Sequence, residues 1–143
     1  MADTLRDQCA DEIIRLLPLY HKKILHPSLS GHQLARFRVL GVLMRDGTLP
    51  TTEIGKRLYI SKPYMTALVD SLIEEKFVER QPHPEDRRVI RIAITASGKQ
   101  HLKEALEVYR ADVRKLLLGV SSRDLEELGS ALATVRRILS SIP

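Results

Sequence analysis

Apolar residues return every three or four positions through Leu5, Cys9, Ile13, Leu16, Leu17, Tyr20 and Ile24, the spacing of one stripe along a helix. The acidic start (Asp3, Asp7, Asp11, Glu12) and basic end (Lys22, Lys23) of this segment suit the helix dipole. Pro18 removes a backbone donor and predicts a bend or two shorter helices; Pro27 and Ser28 mark a break. A second helix is expected after Ser30, carrying Leu34, Phe37, Leu40, Val42, Leu43 and Met44 and stopping at Gly47, a residue suited to a left-handed turn. Thr51 or Thr52 is placed to cap a third helix that turns Ile54 and Leu58 inward. Tyr59 and Ile60 then make a short turn, and Ser61 is a good cap for a fourth helix. Pro63 is tolerated in that helix because first-turn donors have no partner within it. Helical spacing buries Met65, Leu68, Leu72 and Ile73 and leaves Lys62, Tyr64, Thr66 and Asp70 outward.

The texture changes after Lys76. Phe77, Val78, Glu79 and Arg80 lead to a Pro82, His83, Pro84 tip, and the run Val89 to Thr95 is rich in β-branched residues, so a two-stranded hairpin with a charged tip is expected. Helical spacing returns with Leu102, Leu106, Tyr109, Val113, Leu116 and Leu117, ending near Gly119. Ser121 with Asp124 offers a capping box for a last helix bearing Leu125, Leu128, Leu132, Val135, Leu139 and Ile142. The expected fold is mainly α with a small β-hairpin wing: a winged helix-turn-helix between N- and C-terminal helices. The divisions are 1–29, an N-terminal dimerisation helix; 30–98, the winged domain; and 99–143, C-terminal dimerisation helices.

Composition narrows the function. A hydrophobic fraction of 43% with aromatics at only 4% fits an aliphatic, helix-rich soluble interior. No apolar stretch approaches the roughly 20 residues of a membrane span, and the N-terminus lacks the blocks of a signal peptide, so a cytoplasmic location is expected. The single cysteine, Cys9, lies on the apolar stripe of the first helix and reads as an ordinary thiol buried where two chains meet. The formal net charge of +5 suits a polyanionic partner, but it is spread evenly along the chain and locates no binding face. His21, His26, His32, His83 and His101 are scattered without zinc-ligand spacing, and no nucleophile motif, phosphate-binding glycine loop or acid pair signals an enzyme. No metal and no cofactor is expected.

Two short helices joined by a tight turn are the arrangement that sets a recognition helix into the major groove of duplex DNA, and a following hairpin makes the unit winged. Donors at the helix start favour phosphate, and Lys62, Tyr64 and Thr66 supply further donors within reach of base edges. At the hairpin tip, Arg87 and Arg88 beside Asp86 put two planar cations on the end of a lever. One of them can enter a minor groove while the carboxylate holds its orientation. The terminal helices together carry more apolar stripe than the small domain can cover, which predicts a dimer.

From Leu49 to Gly98 the chain resembles the winged-helix core of the MarR family of transcriptional regulators, most specifically in Asp86, Arg87 and Arg88 followed by Ile94, Thr95 and Gly98. The resemblance implies a homodimer, built by terminal helices of both chains, that binds a pseudo-palindromic DNA operator and usually represses. It also implies major-groove contacts through Ser61, Lys62, Pro63, Tyr64 and Thr66, entry of Arg88 into the minor groove with Asp86 orienting it, and a phosphate contact from Arg87. Members of the family often release DNA when a small aromatic acid enters a cleft between the dimer helices and the winged domain. Tyr20, His21, His32 and Arg38 are the effector candidates here, since they combine apolar surface with donors for a carboxylate. One position departs from the family pattern: a Gly usually precedes the apolar pair that opens the wing, and this chain has Lys76. A side chain in a left-handed turn costs about 1 kcal/mol, so the turn either differs or is mildly strained. The competing reading is a helical protein-interaction module whose DNA face is vestigial.

Overall fold

The computed structural model describes residues 1–25 and 30–143. The break expected at Pro27 and Ser28, the division after residue 29, and His26 lie outside the described residues. The chain gathers into two units. Met1–Ile24 with Arg110–Pro143 forms a helical unit, and Leu25–Tyr109 forms a winged unit.

The helices, numbered from the N-terminus, are α1 Ala2–Tyr20, α2 Gly31–Asp46, α3 Thr51–Leu58, α4 Lys62–Glu74, α5 Ala96–Leu116 and α6 Ser122–Ser140. The strands are β1 Leu49–Pro50, β2 Val78–Pro82 and β3 Ile90–Ile94. Ser30 starts α2 with a complete capping box: its hydroxyl accepts from the Gln33 N–H at 3.2 Å, and its own N–H donates to Gln33 Oε1 at 3.0 Å. Gly47 ends the helix at φ 83°, where it adopts the positive φ expected of it. Ala35, Val39, Leu40, Val42 and Leu43 are the buried face of α2, whereas Met44, expected inward, is 56% exposed. The buried stripe runs through Ala35, Val39 and Val42 with Leu43 and then Leu40 at its edge, and Met44 falls about 40° beyond Leu40. Arg45 Nε donates to Asp46 at 2.9 Å, which holds that carboxyl below the ordinary carboxylate range. Its contribution to folding is therefore present above that range and lost as pH falls through the lowered value.

Neither Thr51 nor Thr52 caps α3. Pro50 occupies the cap position without a side-chain bond, and the two threonines are the first residues of the helix. Pro50 is already extended at φ −61°, ψ 148°, so the chain enters the helix one residue earlier than a threonine cap would require. At the other end Tyr59 takes a left-handed φ of 54°, and the Ile60 N–H closes the helix on the Gly55 carbonyl at 3.0 Å. Against α3, α4 buries Met65, Leu68, Val69 and Leu72; Ile73 is half-buried beside that core. Each of these aliphatic side chains, removed from water, contributes about 1.5–3 kcal/mol.

The turn from α4 into the wing resolves the question posed by Lys76. It takes the left-handed conformation, φ 64°, which makes it the strained alternative. Its N–H donates to the Ile73 carbonyl and that of Phe77 to the Leu72 carbonyl, both at 2.9 Å, the paired closure of a helix C-terminus. Across the wing base, the Thr95 hydroxyl donates to the Lys76 carbonyl at 2.7 Å and accepts from the Gly98 N–H at 3.0 Å. It thus ties the turn and caps α5 at once. Gly98 is obligatory there because a Cβ would lie 2.0 Å from the Phe77 carbonyl oxygen. His101 of α5 stacks on Phe77, with centroids 4.1 Å apart, and faces Phe37 of α2 at 5.8 Å, joining the wing base to two helices.

The sheet is three-stranded and antiparallel, in the order β1-β3-β2, not the two-stranded hairpin expected. The additional strand pairs Leu49 with Ile92 and Pro50 with Arg91. Two residues are too short to show alternation, and a proline lacking an N–H is a poor sequence signal for a strand even though an edge tolerates it.

From the helical unit, α1 runs without interruption through Pro18 to Tyr20, and the chain then widens into a π turn over His21–Leu25. Of the two outcomes expected at Pro18, a bend or a split, the split into two helices does not occur. Pro18 sits in the last turn, where its missing N–H forfeits one bond, and the His21 N–H reaches the Leu17 and Pro18 carbonyls. The Ser121 hydroxyl caps α6 by accepting from the Asp124 N–H at 3.1 Å. Cys9 is exposed in the single chain, as is every other residue of α1. Among the described residues no helix is long and apolar enough to cross a membrane.

Candidate nucleic-acid interface

Ser61 stands at the N-cap of α4 with extended backbone, φ −62°, ψ 149°, and its carbonyl accepts the Met65 N–H at 2.9 Å. Its hydroxyl makes no capping bond, contrary to the cap expected of it. An uncapped helix start with a free hydroxyl leaves its first-turn donors facing water, the arrangement that receives an anion. Pro63 in the first turn has no N–H to leave unpaired. Lys62 is exposed at the same end.

The other α4 candidates are partly engaged. The Thr66 hydroxyl donates to the Lys62 carbonyl at 3.0 Å, so toward a partner it presents its methyl group and oxygen lone pairs instead of the donor expected. The Tyr64 hydroxyl lies 3.3 Å from Nδ1 of His32 at the start of α2. The structure thus joins a residue expected to contact DNA with one expected to contact an effector. Of the other effector candidates, Arg38 donates from Nη2 to the Leu58 carbonyl at 3.3 Å, supporting the end of α3. Tyr20 and His21 belong to the helical unit, both exposed.

At the wing tip the His83 N–H donates to the Val89 carbonyl at 2.8 Å and the Val89 N–H to the Asp86 carbonyl at 3.0 Å, closing the loop on itself. Within it Asp86 Oδ1 accepts the Arg88 N–H at 3.0 Å and lies 3.3 Å from Arg88 Nε. The carboxylate therefore orients Arg88, whose side chain is 93% exposed. Arg87 is exposed beside it. No three His, Cys, Asp or Glu side chains gather as metal ligands among the described residues.

Two residues outside the expected set border the same face. Arg80 on β2 reaches Asp70 on α4, Nη2 to Oδ1 2.6 Å. Both line a concavity of about 640 Å³ between α3, α4 and β2, with Lys56 and Lys62 also at its rim. Spacing places Lys62, Thr66 and Asp70 on one side of α4, but nothing in the sequence reveals that the register of β2 brings Arg80 to it.

The sequence model of the MarR family matches residues 30–89. The chain is 32% identical over 91 residues to the HTH-type transcriptional repressor YetL of Bacillus subtilis, an alignment covering 62% of this chain and 54% of the relative. It is 36% identical over 90 residues to the HTH-type transcriptional regulator YpoP of the same organism, covering 61% of this chain and 62% of that one. The chain thus spans between half and two thirds of the length of these relatives. Among solved structures, the transcriptional regulator BldR of Sulfolobus solfataricus superposes with a TM-score of 0.67 at 27% identity, over 95% of this chain and 97% of that one. The winged core, the Asp86-held wing arginine and these likenesses agree: over residues 30–89 the chain is similar to the MarR family.

Proposed function

We propose that this protein is a sequence-specific, DNA-binding transcriptional regulator, a repressor that acts as a homodimer on a pseudo-palindromic operator in the cytoplasm. The observation that carries the reading is the pairing of two anion-ready features in one winged unit: the uncapped start of α4 and the Asp86-oriented Arg88. Ser61, Lys62, Pro63, Tyr64 and Thr66 contact the major groove and its phosphates, Arg88 enters the minor groove, and Arg87 meets the backbone. The likeness to proteins named as transcriptional repressors and regulators supports the same reading.

Pairing follows from the helical unit. Leu5, Ile13, Leu16 and Leu17 on α1 and Leu128 and Leu132 on α6 are each 42% exposed or more in the single chain. So large an apolar surface calls for a partner, and a second copy supplies matching stripes. Release by a small aromatic acid is the regulatory part of the proposal. An acid held by His32 would act on the 3.3 Å approach to Tyr64 and so disturb the reading helix directly.

Selection of bound duplexes from a random pool tests the reading. The expected product is an inverted repeat with half-sites about one helical turn apart, bound more weakly as salt rises. Binding without preference for any duplex would refute it and favour the protein-interaction module.

A further inference from the structure

We propose that Arg80 is a phosphate-contacting residue of this protein and that Asp70 is its positioning residue, the two carrying the DNA backbone across the concavity between α3, α4 and β2. The proposal rests on the DNA-binding reading above and adds a third anchor between the recognition helix and the wing tip.

The ion pair spans two elements, joining α4 to β2 at 2.6 Å, yet both side chains stay more than half exposed, 54% for Arg80 and 57% for Asp70. A pair that open adds little to folding. What it does is fix a long, flexible cation in one place. The bond takes one N–H of Nη2, while a guanidinium carries five N–H donors, so the second N–H of Nη2 and those of Nη1 and Nε are left to meet a phosphate.

The surroundings point to the same ligand. Three cations, Lys56, Lys62 and Arg80, face one carboxylate, Asp70, around the concavity, and the hydroxyls of Thr51, Thr52 and Thr66 border it. The floor, from Gly55 and Met65 to Val69, is apolar. A cationic, hydroxyl-bearing rim over an apolar floor matches the anionic phosphates and apolar sugar faces of a nucleic-acid strand. The concavity also adjoins the start of α4, so a strand seated there continues past Lys62.

Asp70→Asn separates positioning from charge. Removing a carboxylate makes the surface more positive, and charge alone then predicts tighter DNA binding. Loss of positioning predicts weaker binding. The probe is the duplex selected by the wild-type protein, with affinity measured from 50 to 200 mM salt. Arg80→Ala is expected to bind about tenfold more weakly and to lower the slope of log affinity against log salt by about 0.9, one phosphate contact. Arg80→Lys keeps the slope and loses part of the affinity, because an ammonium lacks the fork. Asp70→Asn weakens binding about threefold to fivefold in the wild-type background but not in Arg80→Ala. Melting temperatures of all variants stay within about 4 °C of wild type.

Wild-type affinity and slope in Arg80→Ala, or tighter binding by Asp70→Asn in both backgrounds, overturns the proposal while leaving the DNA reading intact. Loss of benzoate binding in Arg80→Ala with duplex affinity unchanged overturns it too, by assigning the concavity to a small acid. If the wild-type protein selects no duplex, the DNA reading itself fails and this inference with it.

Discussion

The winged and helical units draw on similar residues and solve opposite problems. In the winged unit, Leu40, Leu43, Ile54, Met65, Leu68 and Leu72 are shielded almost completely from water, and the same few elements position the candidate site. In the helical unit α1 and α6 bury no side chain at all, although each carries leucines at regular helical spacing. The difference teaches that the candidate reading surface is built on a self-sufficient core, while the terminal helices leave their apolar stripes exposed in the single chain. Stability and assembly should therefore respond to different substitutions.

The sharpest contrast comes from the same change in both places. Leu72→Ala, at 0% exposure, is expected to cost about 2–5 kcal/mol of folding stability in a denaturant titration. Leu132→Ala, at 53% exposure, should cost the isolated chain less than about 0.5 kcal/mol and act on pairing instead. Leu128→Glu combined with Leu132→Glu should then separate the subunits, each carboxylate opposing burial by about 1–3 kcal/mol. Sedimentation velocity would show a monomer whose winged unit still melts cooperatively; a persistent dimer would mean α6 does not form the contact.

Smaller effects probe the reading surface. Arg88→Ala should lower operator affinity by about 1–3 kcal/mol without unfolding, measured by fluorescence anisotropy on a labelled duplex. Unchanged affinity would remove Arg88 from the interface. The smallest effect is expected at the wing base. Lys76→Gly relieves a left-handed φ of 64° and should raise stability by up to about 1 kcal/mol in thermal melts. A loss of stability would show that the Lys76 side chain compensates for its strain.

Those two units were not equally legible in the sequence. Helix order, the stop at Gly47, the turn at Tyr59 and Ile60 and the wing followed from periodicity and turn residues, because those signals are local. The left-handed Lys76 was foreseen as one of two alternatives, through a departure from a family pattern. What escaped were features set by tertiary pairing. Strand β1 exists only because Leu49 finds Ile92, and the stacking of His101 on Phe77 joins residues 24 apart. In the candidate site, Asp86 and Arg88 are two residues apart and their contact could be anticipated; Asp70 and Arg80 meet only through the register of β2. Ser61 shows a third kind of gap: its position was readable, the rotamer that leaves its hydroxyl unbonded was not.

The comparison between the units converges on one experiment, selection of duplexes from a random pool by the intact protein. A winged unit that reads DNA, carried in pairs by unfinished terminal helices, predicts enrichment of inverted repeats whose half-sites lie about 10 base pairs apart. Enrichment of single, unpaired half-sites would contradict the pairing role of the terminal helices, and no enrichment would contradict the reading role of α4 and the wing.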